Sequence, residues 1–341
     1  MRMKKKNSHY RMYLSAGILI LIGTAVLTMC IGRYYVAPKD VVNVLLSCIF
    51  PLEHNWADNA ENVVLTLRLP RVTGAVLVGG ALALSGAAYQ GIFQNPLVSP
   101  DILGVTGGAS VGAAGAILLG LGSWGIQGMA FCAGILAVTA TNVIPKMIGN
   151  RSKMMLVLSG VIVSGIASSL MGILIYVADP NSELPAITYW QLGSLQKVVP
   201  RTVYIALPVI LICAGILLAI RWKINVLSMG EMEAKSLGIS TGALRNTAVV
   251  CATLLTASSV CVCGNISWVG LVIPHFSRML VGPDNGRLLP MSFVMGAVFM
   301  LVIDTIARSL TGNEIPLGIL TGLIGAPFYF YLLKKQGMNA T

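Results

Sequence analysis

Ionisable residues are scarce in this chain, and few of them stand where they could do chemistry. Asp304 lies inside a long apolar stretch, where an acidic residue invites a proton-relay hypothesis. Arg308 follows four residues later, so the two side chains can also form an ion pair on one helix face. No second acid is evident within an apolar stretch to pass a proton on. Two interpretations stay open here, a proton-coupled secondary transporter and a local ion pair.

Sequence patterns of catalysis and metal binding are missing. There is no G-x-x-x-x-G-K-[ST] phosphate-binding loop, so ATP-driven work would take its energy from another chain. The histidines are scattered, no H-E-x-x-H or C-x-x-C pattern occurs, and no nucleophile–base set emerges. We predict no catalytic residue, no enzyme activity, no metal site and no cofactor bound by this chain. Cys261 and Cys263 are predicted to be small residues in a packed helix rather than a disulfide.

The composition places the chain in a lipid bilayer. Of its 341 residues 56% are hydrophobic and 10% charged, whereas soluble domains carry about 25% charge. Apolar stretches near the roughly 20 residues that cross the hydrocarbon recur along the chain. We therefore predict an all-α membrane protein, a polytopic bundle of about ten transmembrane helices in a single domain, 1–341. The predicted spans are 13–35, 72–93, 103–121, 125–146, 154–178, 200–221, 246–264, 268–281, 289–310 and 316–333.

The distribution of positive charge predicts the orientation. An even number of spans puts both termini on one side of the membrane. If that side is the cytoplasm, all but seven of the 23 lysines and arginines are cytoplasmic, in accord with the positive-inside rule. This accounts for most of the net charge of +11, so a nucleic-acid partner is not predicted. The first span is too long for a signal peptide and lacks a cleavage site.

Four sequence blocks carry a family resemblance. Residues 68–109, RLPRVTGAVLVGGALALSGAAYQGIFQNPLVSPDILGVTGGA, form a glycine-rich apolar helix that breaks at Asn95-Pro96 and restarts. The others are YWQLGS (189–194), CGNISWVGLVIPHFSRMLVGPDNGRLLP (263–290) and DTIARSLTGNEIPLGILTGLIGAP (304–327). In the same order they resemble blocks of bacterial ABC-transporter permeases that import iron-siderophore complexes, haem and vitamin B12. Trp268 stands where that family usually has phenylalanine, and Asn285-Gly286 also departs from it.

The resemblance implies a permease subunit of a binding-protein-dependent ABC importer in the bacterial cytoplasmic (inner) membrane. Such importers assemble two permease subunits around a central pathway, two ATPases below it and a binding protein above it. The implied partners are therefore ABC ATPase subunits that use ATP, an extracytoplasmic substrate-binding protein, a second permease subunit and membrane lipid. Whether the second permease is identical or related stays open. Ferric siderophores are the favoured cargo, with haem or cobalamin as alternatives and a proton-coupled secondary transporter as an alternative of another class.

The resemblance also implies a coupling segment at 222–245. A helix-compatible run, Glu231 to Leu237, ends at Gly238, a favourable residue for a helix C-terminus. By resemblance this is the coupling helix that sits in a groove on the ATPase. The alternative is a solvated amphipathic loop. The candidate coupling residues are Leu227, Gly230, Glu231, Ala234, Leu237 and Gly238.

Two further groups of candidate residues follow from the resemblance. Arg68, Arg71 and Arg308 lie at predicted external span ends and match arginines that receive acidic side chains of the binding protein, a role that suits the guanidinium fork. The alternative is that they reach lipid headgroups or pair locally. The candidate pathway or gate residues are Asn95, Pro96, Leu97, Asn150, Arg151 and Ser152. For Asn95-Pro96 a plain interhelical turn is an equal alternative.

Overall fold

A computed structural model of the protein describes residues 2–32, 34–51, 53, 56–150 and 152–338. The regular structure of these residues is helical. No strand occurs among those residues. The described residues also include a π-helical segment, Val63–Arg68, and a 3-10 turn, Pro100–Leu103. In chain order the helices are α1 (Arg2–Cys30), α2 (Pro38–Ser47), α3 (Asp58–Asn62), α4 (Leu69–Phe93), α5 (Val105–Leu118), α6 (Ser123–Met147), α7 (Lys153–Val177), α8 (Glu183–Leu192), α9 (Pro200–Met229), α10 (Glu231–Ser236), α11 (Thr241–Cys263), α12 (Val269–Val281), α13 (Asn285–Ser309) and α14 (Leu317–Met338).

Apolar helices lie at all ten predicted span positions. Seven described stretches are long and apolar enough to cross a bilayer; they lie in α1, α4 with the residues before it, α6, α7, α9, α11 and α13. Three further apolar helices, α5, α12 and α14, are shorter. The predicted all-α membrane class is confirmed. The number of crossings and the cytoplasmic side of the termini stay predictions.

Helix α4 lies at the centre of the bundle because its small residues let other backbones approach. A Cβ atom at Gly79 would lie 2.2 Å from the Gly296 carbonyl oxygen of α13. A Cβ atom at Gly86 would lie 1.7 Å from the Gly270 carbonyl oxygen of α12. Such backbone contact is the usual way in which glycine-rich membrane helices associate. The most apolar part of Asn59–Phe93 is 89% buried, so protein rather than lipid surrounds it.

The predicted cytoplasmic loop at 222–245 is largely helical. Helix α9 continues to Met229 and so includes the first eight residues of this segment, 222–229. Helix α11 already begins at Thr241. The remaining stretch holds α10 and two short connections. Both helices extend beyond the span ends predicted at 221 and 246, because lysine, tryptophan and asparagine end a hydropathy signal without ending a helix.

Short helices lie at the predicted outer side. Helix α8 includes the YWQL sequence, and Gly193 follows it with a φ of 71°. Two backbone hydrogen bonds hold its end. The Ser194 amide donates to the Cys263 carbonyl (2.7 Å), and the Leu317 amide donates to the Gly193 carbonyl (2.9 Å). These bonds tie α8 to the end of α11 and the start of α14. Helix α2, with Val41 and Val44 buried, lies in the first sixty residues, where no motif predicted it.

Candidate functional site

The predicted coupling helix is present as α10, and it ends in a Schellman motif. The Gly238 amide donates to the Lys235 carbonyl (2.9 Å), and the Ile239 amide donates to the Ala234 carbonyl (3.0 Å). Gly238 has a φ of 74°, a left-handed conformation that glycine adopts without steric cost. Gly238 is therefore the helix stop that the sequence indicated.

One side of α10 is held by its own chain. Glu231 forms an ion pair with Arg245 of α11. Ala234 is fully buried, and so is Leu227 in the last turn of α9. Gly230 joins the two helices, and its carbonyl accepts a hydrogen bond from the Ala234 amide at 3.2 Å. Of the predicted coupling residues, Leu227 and Ala234 thus seat the helix and offer no surface to a partner.

The other side of α10 is open and partly apolar. Met232 is 76% exposed and Leu237 is 61% exposed. Met229, at the end of α9, is also exposed. A cavity of about 360 Å³ opens beside Leu237 and is lined in part by Trp222, Lys223 and Leu244. Neither methionine was singled out from the sequence, because a single apolar residue in a charged loop gives no periodic signal.

The predicted gate turn follows the buried end of α4. Gln94 ends the helix with a φ of 55°, which is uncommon for a residue other than glycine. The Asn95 amide donates to the Gln90 carbonyl (3.2 Å), and Asn95 Oδ1 accepts the Leu97 amide (2.9 Å). Residues 94–97 are exposed. The turn is thus a polar, hydrogen-bonded break between buried segments, a geometry that suits both a gate and a plain turn.

The second predicted gate segment forms the start of α7. Asn150 Oδ1 accepts the Ser152 amide (3.1 Å), and Ser152 Oγ caps the helix by accepting the Met155 amide (3.2 Å). Arg151 lies outside the described residues. A Cβ atom at Gly160 would lie 1.9 Å from the Ile102 carbonyl oxygen, so α7 packs on the 3-10 turn that follows the gate turn. Helix α7 therefore leads from the second gate segment to the 3-10 turn, which begins three residues after Leu97.

Two of the three predicted docking arginines, Arg71 and Arg308, form a cluster with acidic residues of their own chain. Arg71 Nη2 lies 2.8 Å from both Asp304 Oδ1 and Glu314 Oε2, and its Nε and Nη1 donate to the same two carboxylates. Arg308 Nε lies 3.8 Å from Asp304 Oδ2. We call Arg71, Asp304, Arg308 and Glu314 the outer ion cluster. Sequence reasoning missed Glu314, whose only signal was its place in the fourth motif block.

Arg68 and Arg308 also bind backbone carbonyls at and just after the end of α1. Arg68 donates to the Met29 and Tyr34 carbonyls, and Arg308 donates to the Thr28 carbonyl. Both side chains are buried. The α1 carbonyls that accept these bonds lie in its last turn, where a helix has no partner for them. These contacts favour local pairing over direct docking, and docking through these three side chains stays a prediction that needs the cluster to open.

Asp304 is held as a structural anion. Its carboxylate is buried and faces guanidinium groups of Arg71 and Arg308. The ion pair between Asp304 and Arg308, four residues apart, is the local alternative that the sequence left open. A carboxylate occupied by two arginines is poorly placed to pass a proton along a relay. The geometry therefore favours the ion pair over the proton-coupled interpretation.

The seven cysteines of the chain, all within the described residues, are free thiols. Cys263 is buried and donates to the Ser259 carbonyl in its own helix (3.0 Å). Cys261 is half-buried in the same helix. Both positions are compatible with the prediction of small residues in a packed helix.

Comparison with known proteins identifies the family. The pattern of the FecCD transport family matches residues 19–335. The molybdate import system permease protein MolB of Haemophilus influenzae is 40% identical over 324 residues, covering 94% of this chain and 96% of the relative. A permease assigned to iron chelatin transport in Helicobacter pylori J99 is 40% identical over 91% of this chain and 94% of its own. The cobalamin import system permease protein BtuC of Halobacterium salinarum is 38% identical over 85% of this chain and 78% of the relative.

Solved structures show the same fold. An inward-facing ABC transporter assigned to the metal-chelate type superposes with a TM-score of 0.85 at 38% identity, covering 94% of this chain and 98% of that one. PsaBC from Streptococcus pneumoniae, at 17% identity and a TM-score of 0.57, shares the fold alone. The sequence motifs, the helical bundle and these relatives agree. This chain belongs to the FecCD transport family and is a multi-pass membrane permease subunit of an ABC importer.

Proposed function

We propose that this chain forms half of a translocation pathway for a metal-containing cargo, with a ferric siderophore as the first candidate, and that α10 couples it to a partner ATPase. The observation that carries the proposal is the exposed apolar surface of Met229, Met232 and Leu237 on a segment that its own chain holds in place. Exposed apolar groups gathered in a polar region mark a partner surface. The predicted orientation puts this surface in the cytoplasm, where ATP is available.

The contacts that hold α10 in place support a role in passing movement from the ATPase to the permease. Its Glu231 is paired with Arg245, Ala234 is buried, and Gly238 closes the helix. A partner that pushes on Met232 or Leu237 therefore pushes on a folded helix rather than on a loose loop. In this proposal the ATPase contacts the accessible residues Glu231, Met232, Leu237 and Gly238. The buried residues Leu227 and Ala234 hold the helix in place.

The gate is proposed at the turn after α4. Non-helical backbone at membrane depth is tolerated only beside protein or a water-filled cavity. Asn95, Pro96 and Leu97 are exposed in the isolated subunit, so a second permease subunit or the pathway itself would cover them. A polar turn held by its own hydrogen bonds can move as a unit between open and closed states. This supports a gate, with the start of α7 beside it.

The relatives support a metal-containing cargo. The iron chelatin permease of Helicobacter pylori and the metal-chelate type transporter both share about two-fifths of their residues with this chain over most of its length. The second candidate is molybdate, which the Haemophilus influenzae relative favours at 40% identity. Cobalamin, carried by the Halobacterium salinarum relative, and haem are further candidates. In this proposal the binding protein makes most of the selection.

Uptake by the purified complex tests the proposal. The chain is co-purified with the ATPase and binding protein encoded beside it and reconstituted into proteoliposomes with internal ATP. Ferric siderophore, molybdate, cobalamin and haem are supplied outside. ATP-dependent uptake of the siderophore is expected. Uptake of another cargo corrects the cargo alone, and uptake that a protonophore abolishes at fixed ATP overturns the coupling mechanism. Native mass spectrometry of the same complex distinguishes a homodimer of this chain from a pair of related permeases.

A matched pair of substitutions tests the coupling surface. Met232→Glu places a charge on the proposed contact, whereas Met232→Leu keeps its apolar character and volume. We expect Met232→Glu to lower uptake per ATP hydrolysed while Met232→Leu does not. Equal coupling in both variants, in complexes that assemble normally, contradicts the assignment of α10.

A further inference from the structure

The last turn of α9 is capped by a side chain from the end of another helix. Gln94 Nε2 donates to the Leu227 carbonyl oxygen at 2.7 Å. Leu227 is among the last four residues of α9, whose carbonyls have no amide donor inside the helix itself. A side chain from the end of α4 thus satisfies a carbonyl at the end of α9. The bond joins two segments that are 133 residues apart in the chain.

A second bond fixes the same turn to α13. The Asn285 amide, at the start of α13, donates to Asn225 Oδ1 at 3.1 Å. Asn285 also lies against α4, because a Cβ atom at Gly91 would come 2.9 Å from Asn285 Oδ1 and 2.9 Å from Ile224 Cγ2. The ends of α4 and α9 and the start of α13 therefore meet at one contact. The end of α9 is hydrogen-bonded to α13 and to Gln94, the residue that ends α4.

The backbone at Gln94 is unusual for its residue type. Its φ of 55° is one of two positive values at residues other than glycine in the described chain. The left-handed conformation is strained for a residue that carries a side chain. Glycine would remove that strain, but it would also remove the amide that reaches Leu227. The conformation directs the side chain toward α9 and leaves the backbone ready to enter the turn at Asn95.

The two ends of this bond lie next to the two functional segments. Gln94 immediately precedes the gate turn Asn95–Leu97, and Leu227 lies three residues before Gly230, the residue that precedes α10. A displacement of α10 moves the last turn of α9, to which it is directly connected. Through the Leu227 carbonyl that displacement reaches Gln94 and changes the orientation of the turn.

We infer that Gln94 is a positioning residue that transmits movement of the coupling helix α10 to the gate turn, through its hydrogen bond to the Leu227 carbonyl. The inference rests on the proposed function of α10 and the gate. It assigns to Gln94 a role in the coupling step, distinct from contact with either cargo or ATPase. Substitutions that keep the left-handed strain but change the donor separate this role from a merely structural one.

The test uses three variants of the complete complex in proteoliposomes. Gln94→Glu keeps the length of the side chain and the strain but replaces the donor by a carboxylate. Gln94→Lys keeps a donor, and its charge suits the negative C-terminal end of α9. Gln94→Gly removes both strain and donor. We expect uptake per ATP to fall roughly three- to tenfold in the Glu and Gly variants, the range that one net hydrogen bond supplies, and to stay near wild type in the Lys variant.

A local readout accompanies the uptake measurement. Addition of a non-hydrolysable ATP analogue should alter hydrogen exchange at the Leu97 and Val98 amides in wild type. In Gln94→Glu that response should be lost while the exchange response of α10 persists. Wild-type coupling and exchange in both the Glu and Gly variants overturn the inference. If Met232→Glu also leaves coupling unchanged, the proposed function fails too; if Met232→Glu uncouples, the role of Gln94 alone is refuted.

Discussion

The guanidinium group of Arg71 contacts both carboxylate oxygens of Asp304 at 2.8–3.0 Å, although 233 residues separate them in the chain. The same group reaches Glu314, in the connection after α13. The start of α4 is thereby fixed to the end of α13 and to the segment that leads into α14. A half-buried arginine that binds two carboxylates makes the outer ion cluster a structural joint.

Removal of Arg71 should destabilise the subunit. Arg71→Ala leaves two acidic side chains without their main cation, and loss of one partner from a buried pair costs about 3–5 kcal/mol. Thermal unfolding of the purified protein in detergent measures the effect. Arg201→Ala is the control, because Arg201 is exposed and its guanidinium carbon lies 5.0 Å from the centre of the Trp124 ring. An equal loss in both variants would refute the special role of Arg71.

Neutralising Asp304 should affect stability more than the pH dependence of transport. Asp304→Asn keeps the shape of the side chain but removes the charge that faces Arg71 and Arg308. We expect a lower unfolding temperature and an unchanged pH profile of uptake in the molecules that remain folded. A stable variant with a shifted pH profile would contradict the structural assignment and restore the proton-coupled alternative.

Two glycines near α10 distinguish backbone conformation from packing. A Cβ atom at either Gly238 or Gly242 would meet no atom within 4 Å, but only Gly238 has a positive φ. Gly238→Ala should therefore cost roughly 1–2 kcal/mol locally and lower uptake per ATP by fraying α10. Gly242→Ala, within α11, should leave coupling unchanged. Protease sensitivity of the segment 229–241 measures the fraying directly, and equal sensitivity of the two variants would exclude this explanation.

The central position of α4 predicts that its glycines tolerate no side chain. Gly86→Ala forces a methyl group into the Gly270 carbonyl oxygen, and overpacking of this kind costs about 1–3 kcal/mol or more. Gly165→Ala is the matched control, since Gly165 of α7 is exposed and a methyl group there would meet no atom within 4 Å. Fluorescence-detected size-exclusion chromatography should show aggregation for Gly86→Ala alone. A monodisperse Gly86→Ala protein would show that α4 can shift away from α12.

Local features of this protein could be predicted from its sequence because they depend on neighbours in the chain. Gly238 as a helix stop and the apolar character of the ten helices need only local periodicity and turn chemistry. Helix α2 escaped prediction because ten residues with a buried stripe are too few to stand out beside longer apolar runs. Helix α9 continues past the predicted span end because hydropathy reports the membrane boundary rather than the helix boundary.

Long-range pairing explains what the sequence could not predict. Nothing around Arg71 shows that its partners lie near residues 304 and 314, so an arginine at a span end was assigned to an external partner. The bond from Gln94 to the Leu227 carbonyl is equally invisible, since its acceptor is a backbone atom and carries no sequence signal. Such contacts are set by which helix ends meet in the bundle, and that depends on the whole topology.

The outer ion cluster also has a consequence for the order in which the protein is made. A ribosome adding 5–20 residues per second needs roughly ten to fifty seconds to go from Arg71 to Asp304. During that interval Arg71 has neither of its carboxylate partners, Asp304 and Glu314. Completion of the cluster therefore coincides with arrival of the last helices. An unpaired Arg71 is thus a feature of an incomplete chain, and pairing with Asp304 and Glu314 removes it from the finished subunit.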